Sequence, residues 1–86
     1  MLQFTNHAER RMNQRGISKE MIELTLEFGK YIEDKVILKS RDIKRLLFKV
    51  PSFMKPKLLK IMDKGGLVVV LNDNNSVITV YNKFKK

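Results

Sequence analysis

Leu67-Val68-Val69-Val70-Leu71, Asn72-Asp73-Asn74-Asn75 and Ser76-Val77-Ile78-Thr79-Val80-Tyr81 form two runs rich in β-branched residues, joined by a turn-forming stretch. Side chains branched at Cβ sit well on a pleated strand, and Asn and Asp tolerate tight turns. The stretch therefore predicts a hairpin of two antiparallel strands. Its first strand is apolar on both faces and belongs inside a sheet. In the second, simple alternation puts Ile78 and Val80 on one face and Val77, Thr79 and Tyr81 on the other. One face of such a sheet packs on helices and the other is left available.

The helices are written upstream. Asn6 followed by Glu9 has the form of a capping box, with Thr5 as the alternative cap, and Gly16 stands where a left-handed residue ends a helix. A first helix is expected at about residues 6–15. Ser18 is the next N-cap, flanked by Ile17 and Ile22 as a hydrophobic staple, and Leu24, Leu26 and Phe28 continue the apolar side toward Gly29. A second helix is expected at about residues 19–28, reached through a tight corner. Tyr31 to Lys39 reads as one bent strand or a narrow hairpin, with a strand at about residues 35–39.

The middle of the chain is more ambiguous. Ser40 is a candidate cap for a helix carrying Ile43, Leu46, Leu47 and Val50 before Pro51, although Ile43 to Val50 also fits a strand in part. Pro56 is placed to open a helical turn with Leu58, Leu59 and Met62, ended by Gly65-Gly66. The tail Lys83-Phe84-Lys85-Lys86 is too short and too charged to fold alone, so it frays or rests on a polyanion.

At 86 residues, with 43% of them apolar, the chain suits a single domain spanning residues 1–86 with one thin core. It has no cysteine, which removes disulfides, thiolate metal sites and cysteine nucleophiles and makes the reducing cytoplasm the expected setting. The apolar runs are too short to span a bilayer, and the N-terminus lacks a signal pattern, so no membrane role is expected. The net charge of +9 is concentrated between Lys35 and Lys60, where nine basic residues face Asp42 alone. Such asymmetry exceeds what solubility requires and points to a polyanionic partner, whether RNA, DNA or an acidic protein.

His7, Arg11 and Arg15 recur at intervals of four on the first predicted helix. They stand within about 80° of one another, while Ala8 and Met12 turn toward the core. Guanidinium forks bind phosphate and imidazole titrates near neutrality, so the row can bind a phosphodiester and move a proton. Other chemistry is poorly served. No pattern of metal ligands, paired carboxylates or phosphate-cradling glycines appears, so no metal or cofactor is expected, and Ser18, Ser40 and Thr25 read as caps or helix-face residues. Tyr31, Phe48, Phe53 and Tyr81 lack the signature of a base-stacking module and read mainly as packing residues.

The opening Phe4-Thr5-x-His7-Ala8-x-x-Arg11-Met12-x-x-Arg15-Gly16-Ile17-Ser18 and the closing Val77-Ile78-Thr79-Val80-Tyr81-Asn82 resemble the small proteins grouped as domain of unknown function 4258. The resemblance runs through nearly the whole chain, with a divergent middle third. That family is similar to the barnase, EndoU, colicin and RelE-like group of ribonuclease folds. What this implies is an α+β domain with an N-terminal two-helix unit on a small antiparallel sheet that binds RNA. His7, Arg11 and Thr79 fall on the family's motif positions, with Arg15 and Tyr81 beside them, and many members of the wider group are toxins of toxin–antitoxin systems.

The expectation is therefore a sheet of three or four antiparallel strands and a metal-independent endoribonuclease, in which the 2′-hydroxyl attacks the adjacent phosphate. The catalytic candidates are His7, Arg11 and Thr79. Arg15, Lys39, Arg41, Lys44, Arg45 and Tyr81 are the nucleic-acid-binding candidates. A single histidine leaves the second proton-transfer role unassigned, with Tyr81 or a lysine such as Lys44 as the candidates. RNA is the expected partner, with an acidic antitoxin as a further one. The alternatives are a non-catalytic nucleic-acid-binding module and a small basic interaction protein.

Overall fold

A computed structural model describes residues 2–82 of the chain. Its first two helices follow from their ends. In α1 (Asn6–Arg15) the N-cap is Thr5, the alternative the sequence left open, and not Asn6. The Thr5 hydroxyl accepts from the Ala8 amide at 3.1 Å and donates to the Ile78 carbonyl at 3.3 Å, while the Thr5 amide donates to the Val77 carbonyl at 3.0 Å. These bonds hold Thr5 extended, the conformation that a cap needs. Gly16 ends α1 at φ 64°. After Gly16 and Ile17, Ser18 caps α2 (Lys19–Phe28), accepting from the Met21 amide at 3.2 Å.

Tyr31 to Lys39 forms the narrow hairpin. β2 (Lys30–Ile32) and β3 (Lys35–Lys39) are joined through Glu33 and Asp34, with Glu33 at φ 56°. The middle segment is helical and not a strand: α3 spans Ser40–Leu46. Ser40 does not cap it. Ser40 is already helical, and its hydroxyl donates to the Met62 carbonyl at 3.4 Å. The helix stops short of Val50 because Pro51 disfavours helical backbone before it and has no amide to continue the ladder. A 3₁₀ turn (Ser52–Met54) leads into α4 (Lys55–Asp63). Leu58 and Ile61 form the buried face of α4, whereas Leu59 remains exposed.

The α+β class is as expected, but the sheet is larger and mixed. Strand order is β1-β5-β4-β3-β2, with β1 (Gln3–Phe4) parallel to β5 (Ser76–Asn82) and every other pair antiparallel. β1 has two residues, too few to carry a periodic signal, and it exists only through its pairing with β5. β4 (Gly66–Leu71) lies in the middle of the sheet, with its first five residues buried.

The hairpin contains one departure from strict alternation. Leu71 pairs with Val77 and Val70 with Thr79, which leaves Ile78 as an extra residue on β5. This bulge breaks the expected grouping of Val77 with Thr79 and Tyr81. Val77 and Val80 both enter the core instead, and Ile78 is only half-buried.

The helices cover one face of the sheet. Ala8, Met12, Met21, Ile22, Ile43, Leu58 and Ile61 pack against Leu38, Leu67, Val69, Val77 and Val80. Buried Thr25 is satisfied by donating to the Met21 carbonyl at 2.9 Å. On the opposite face, cross-strand pairing produces two rows, Ile37-Val68-Tyr81 and Lys35-Val70-Thr79. No helix among the described residues is long and apolar enough to cross a membrane. The expectation for residues 83–86 lies outside the described range.

Candidate nucleic-acid interface

α1 is held beside β5 from its first residue, because the Thr5 cap bonds to both Val77 and Ile78. β1 pairs only with Ser76 and Val77, so the outer edge of β5 beyond the bulge has no strand partner among the described residues. α1 runs along this edge, with Ala8 and Met12 buried and the side carrying His7, Arg11 and Arg15 facing the gap. The result is a cleft of about 600 Å³ lined by His7, Arg11, Arg15, Thr79, Val80, Tyr81 and Asn82.

Five residues singled out from sequence thus meet in one place: His7, Arg11, Arg15, Thr79 and Tyr81. His7 is exposed, and the other four are half-buried. Lys39, Arg41 and Arg45 are not among them. They line a second groove of about 280 Å³ with Lys30, Ile32, Ile37 and Asp42, toward the β2–β3 side of the sheet. Lys44 is exposed and lines neither groove, so Tyr81, unlike Lys44, shares the cleft with His7.

The electrostatics are one-sided. Among the described residues the one ion pair is Arg45 with Asp42, at 3.9 Å and largely exposed. Among those residues Arg11 and Arg15 have no carboxylate partner, and the cleft lining contains no acidic residue. Glu9, the acidic residue of α1, is two positions from His7, which puts it on another side of the helix. Unneutralised guanidiniums beside a low-dielectric sheet edge attract a dianion or a phosphodiester and supply planar, forked donors to its oxygens.

The inner wall holds two buried polar atoms without a hydrogen-bond partner among the described residues, Arg15 Nε and Asn82 Oδ1. An unmet buried polar atom costs about 1–3 kcal/mol, so a polar ligand that reached these groups would regain that energy. Position and orientation of α1 are reinforced from the far end, where the Lys64 ammonium donates to the Arg15 carbonyl at 2.8 Å. This bond satisfies one of the orphan carbonyls at the helix C-terminus and matches a cation to the negative end of the helix dipole.

Sequence reasoning did not nominate Val80, Asn82 or Lys30. Asn82 adjoins Tyr81 in the closing motif, and that adjacency was the available signal. Lys30 gave none, because its pairing with Ile37 is a product of the hairpin. No group of three or more His, Cys, Asp or Glu side chains converges to hold a metal among the described residues.

The sequence model for "Domain of unknown function (DUF4258)" matches residues 4–82, and the chain belongs to that family. No curated protein and no solved structure matches it.

Proposed function

We propose that this family member is an endoribonuclease that binds single-stranded RNA across the α1–β5 cleft and cleaves it by attack of the 2′-hydroxyl on the adjacent phosphate. The observation that carries the reading is the meeting of His7 with Arg11 and Arg15, which have no carboxylate partner among the described residues, against Thr79 at the outer edge of β5. In this reaction the 2′-oxygen bonds to phosphorus and the bond to the 5′-oxygen breaks, giving a 2′,3′-cyclic phosphate and a 5′-hydroxyl. His7 serves as general base or acid for one of the two proton transfers. Tyr81, in the same cleft, is the candidate for the other. Arg11 and Arg15 stabilise the charge that develops on the phosphorane, and Thr79 donates to a phosphate oxygen or positions His7.

The remaining strand of RNA follows the open face of the sheet toward Lys39, Arg41 and Arg45, whose groove accepts further phosphates. Lys44 adds to the same field from its exposed position. Two helices, α1 and α2, preceding the four antiparallel strands of a sheet with one open face support placing the chain beside the barnase, EndoU, colicin and RelE-like ribonucleases. The corresponding biological role is that of a toxin restrained by an acidic partner over the cleft, and growth arrest on expression in cells is its test.

The test of the chemistry is cleavage of a labelled single-stranded RNA in EDTA, by the wild type and by His7→Ala and Arg11→Ala. The expected result is cyclic-phosphate ends from the wild type and a loss of about 10² to 10⁴ in rate for His7→Ala. The exposure of His7 favours a second reading, a non-catalytic RNA-binding module with the same basic cleft. Equal RNA binding by all three proteins without cleavage would establish that reading over the first.

A further inference from the structure

His7 and Arg11 do not only line the α1–β5 cleft. They also form one wall of a separate groove of about 210 Å³ on the outer side of α1, completed by Arg10 and Gln14. The helical period explains the arrangement. Relative to His7, Arg11 and Arg15 are rotated by about 40° and 80° toward the sheet, whereas Gln14 and Arg10 are rotated by about 20° and 60° away from it. His7 and Arg11 are thus a ridge between two grooves, and both grooves lack acidic lining residues. Arg10 and Gln14 are exposed, and Arg10 has no carboxylate partner among the described residues.

We propose that the Arg10–Gln14 groove is a second phosphodiester subsite, which takes the next nucleotide of the RNA strand on the far side of the reacting phosphate. The proposal rests on the ribonuclease reading of the cleft and extends it to substrate length. A strand lying over the ridge presents its scissile phosphate to His7 and Arg11. On the sheet side its neighbours lie in the α1–β5 cleft, and on the other side the next phosphate comes within one helical turn of Arg10. There the guanidinium supplies a charged fork to the phosphate. Gln14, one turn along from Arg10, supplies an uncharged amide donor and acceptor to the ribose or base. A dinucleoside monophosphate, with one phosphate, fills only the ridge; an oligonucleotide occupies the subsite as well.

The experiment uses uncleavable 2′-O-methyl RNA, as a pentanucleotide and as a dinucleoside monophosphate, with affinity measured against salt concentration. For the pentanucleotide, Arg10→Ala is expected to reduce the slope of log affinity against log salt by about 0.7, the contribution of one phosphate contact on a single strand. Gln14→Ala is expected to weaken pentanucleotide binding without changing the slope. Lys60→Ala, which removes a charge from the exposed side of α4, controls for net charge. The proposal is overturned if Arg10→Ala matches Lys60→Ala, or if the reduced slope appears equally with the dinucleoside monophosphate. If the wild type binds neither RNA, the ribonuclease reading falls and the subsite with it. If the wild type binds and, on the unmodified RNA, His7→Ala abolishes cleavage, while Arg10→Ala behaves as the control in binding, only the subsite is lost.

Discussion

Asn82 carries a cost that its neighbours on β5 do not. Its Oδ1 is buried and, among the described residues, unpartnered, as is the Nε of Arg15 in the same cleft lining, and it stands at a position paired across the sheet with Leu67. Replacing a buried unpaired polar group by an apolar one of similar shape removes the desolvation cost. Asn82→Leu is therefore expected to stabilise the fold by about 1 kcal/mol in urea denaturation, while weakening the RNA binding proposed for the cleft. Stability and affinity moving in opposite directions would identify the amide as a group retained for a ligand; a loss of both would assign it to packing. At this scale the sequence was legible where spacing alone decides geometry. The His7-Arg11-Arg15 row needed only the helical repeat, whereas Thr79 and Tyr81 entered through family resemblance. That Asn82 lines the same cleft as Arg15 depends on which strand edge α1 adopts, and no local pattern encodes that.

The elements depend on their ends and crossings. Gly29 terminates α2 where β3 passes close by: an added Cβ would lie 2.5 Å from the Thr25 carbonyl oxygen, 2.9 Å from Val36 Cγ1 and 3.0 Å from the Ile37 carbonyl oxygen. Two of these are backbone atoms, which cannot swing aside. Gly29→Ala is expected to destabilise by about 1–3 kcal/mol through overpacking, measurable as a lower urea midpoint with an unchanged slope.

At the other end of α2, hydrogen bonding to its own backbone amide and the nearby Lys57 ammonium hold the Glu20 carboxyl below the usual glutamate range. This lowered value means that the ionised group favours the folded state. Its contribution is fully present above about pH 4.3, the ordinary glutamate value, and is lost as pH falls through the lowered folded value. Melting temperature should thus fall more on acidification in the wild type than in Glu20→Gln. Parallel curves would show that the interaction does not contribute.

Element boundaries were readable where a local signal marked them. Gly16 and Ser18 delimit α1 and α2, and β3 matches its apolar run. β1 and the bulge at Ile78 were not readable, since one has two residues and the other breaks a period that the sequence itself maintains.

At the scale of the molecule, the sheet divides labour between its faces. One is sealed by four helices around Leu67, Val69 and Val80, and the other presents Lys35, Thr79 and Tyr81 from its strands. The basic stretch from Lys35 to Lys60 was plain in the sequence, but not that its Lys39, Arg41 and Arg45 line one groove while the arginines of α1 line another beside β5. That division follows from strand order, which puts β5 and β2 three places apart.

The short reach of β1 has a further effect. By covering only Ser76 and Val77 it leaves the rest of β5 without a strand partner among the described residues, a template on which another chain could lengthen the sheet. The arginines of α1 stand guard over that edge, and a second molecule carrying the same +9 charge is repelled from it. At about 1 M salt the screening length contracts to about 3 Å and the repulsion largely disappears. Self-association should then rise with salt in sedimentation velocity; a monomer at every ionic strength would show that α1 blocks the edge by bulk alone. The cations that make the cleft attractive to a polyanion would thus also keep copies of the protein apart.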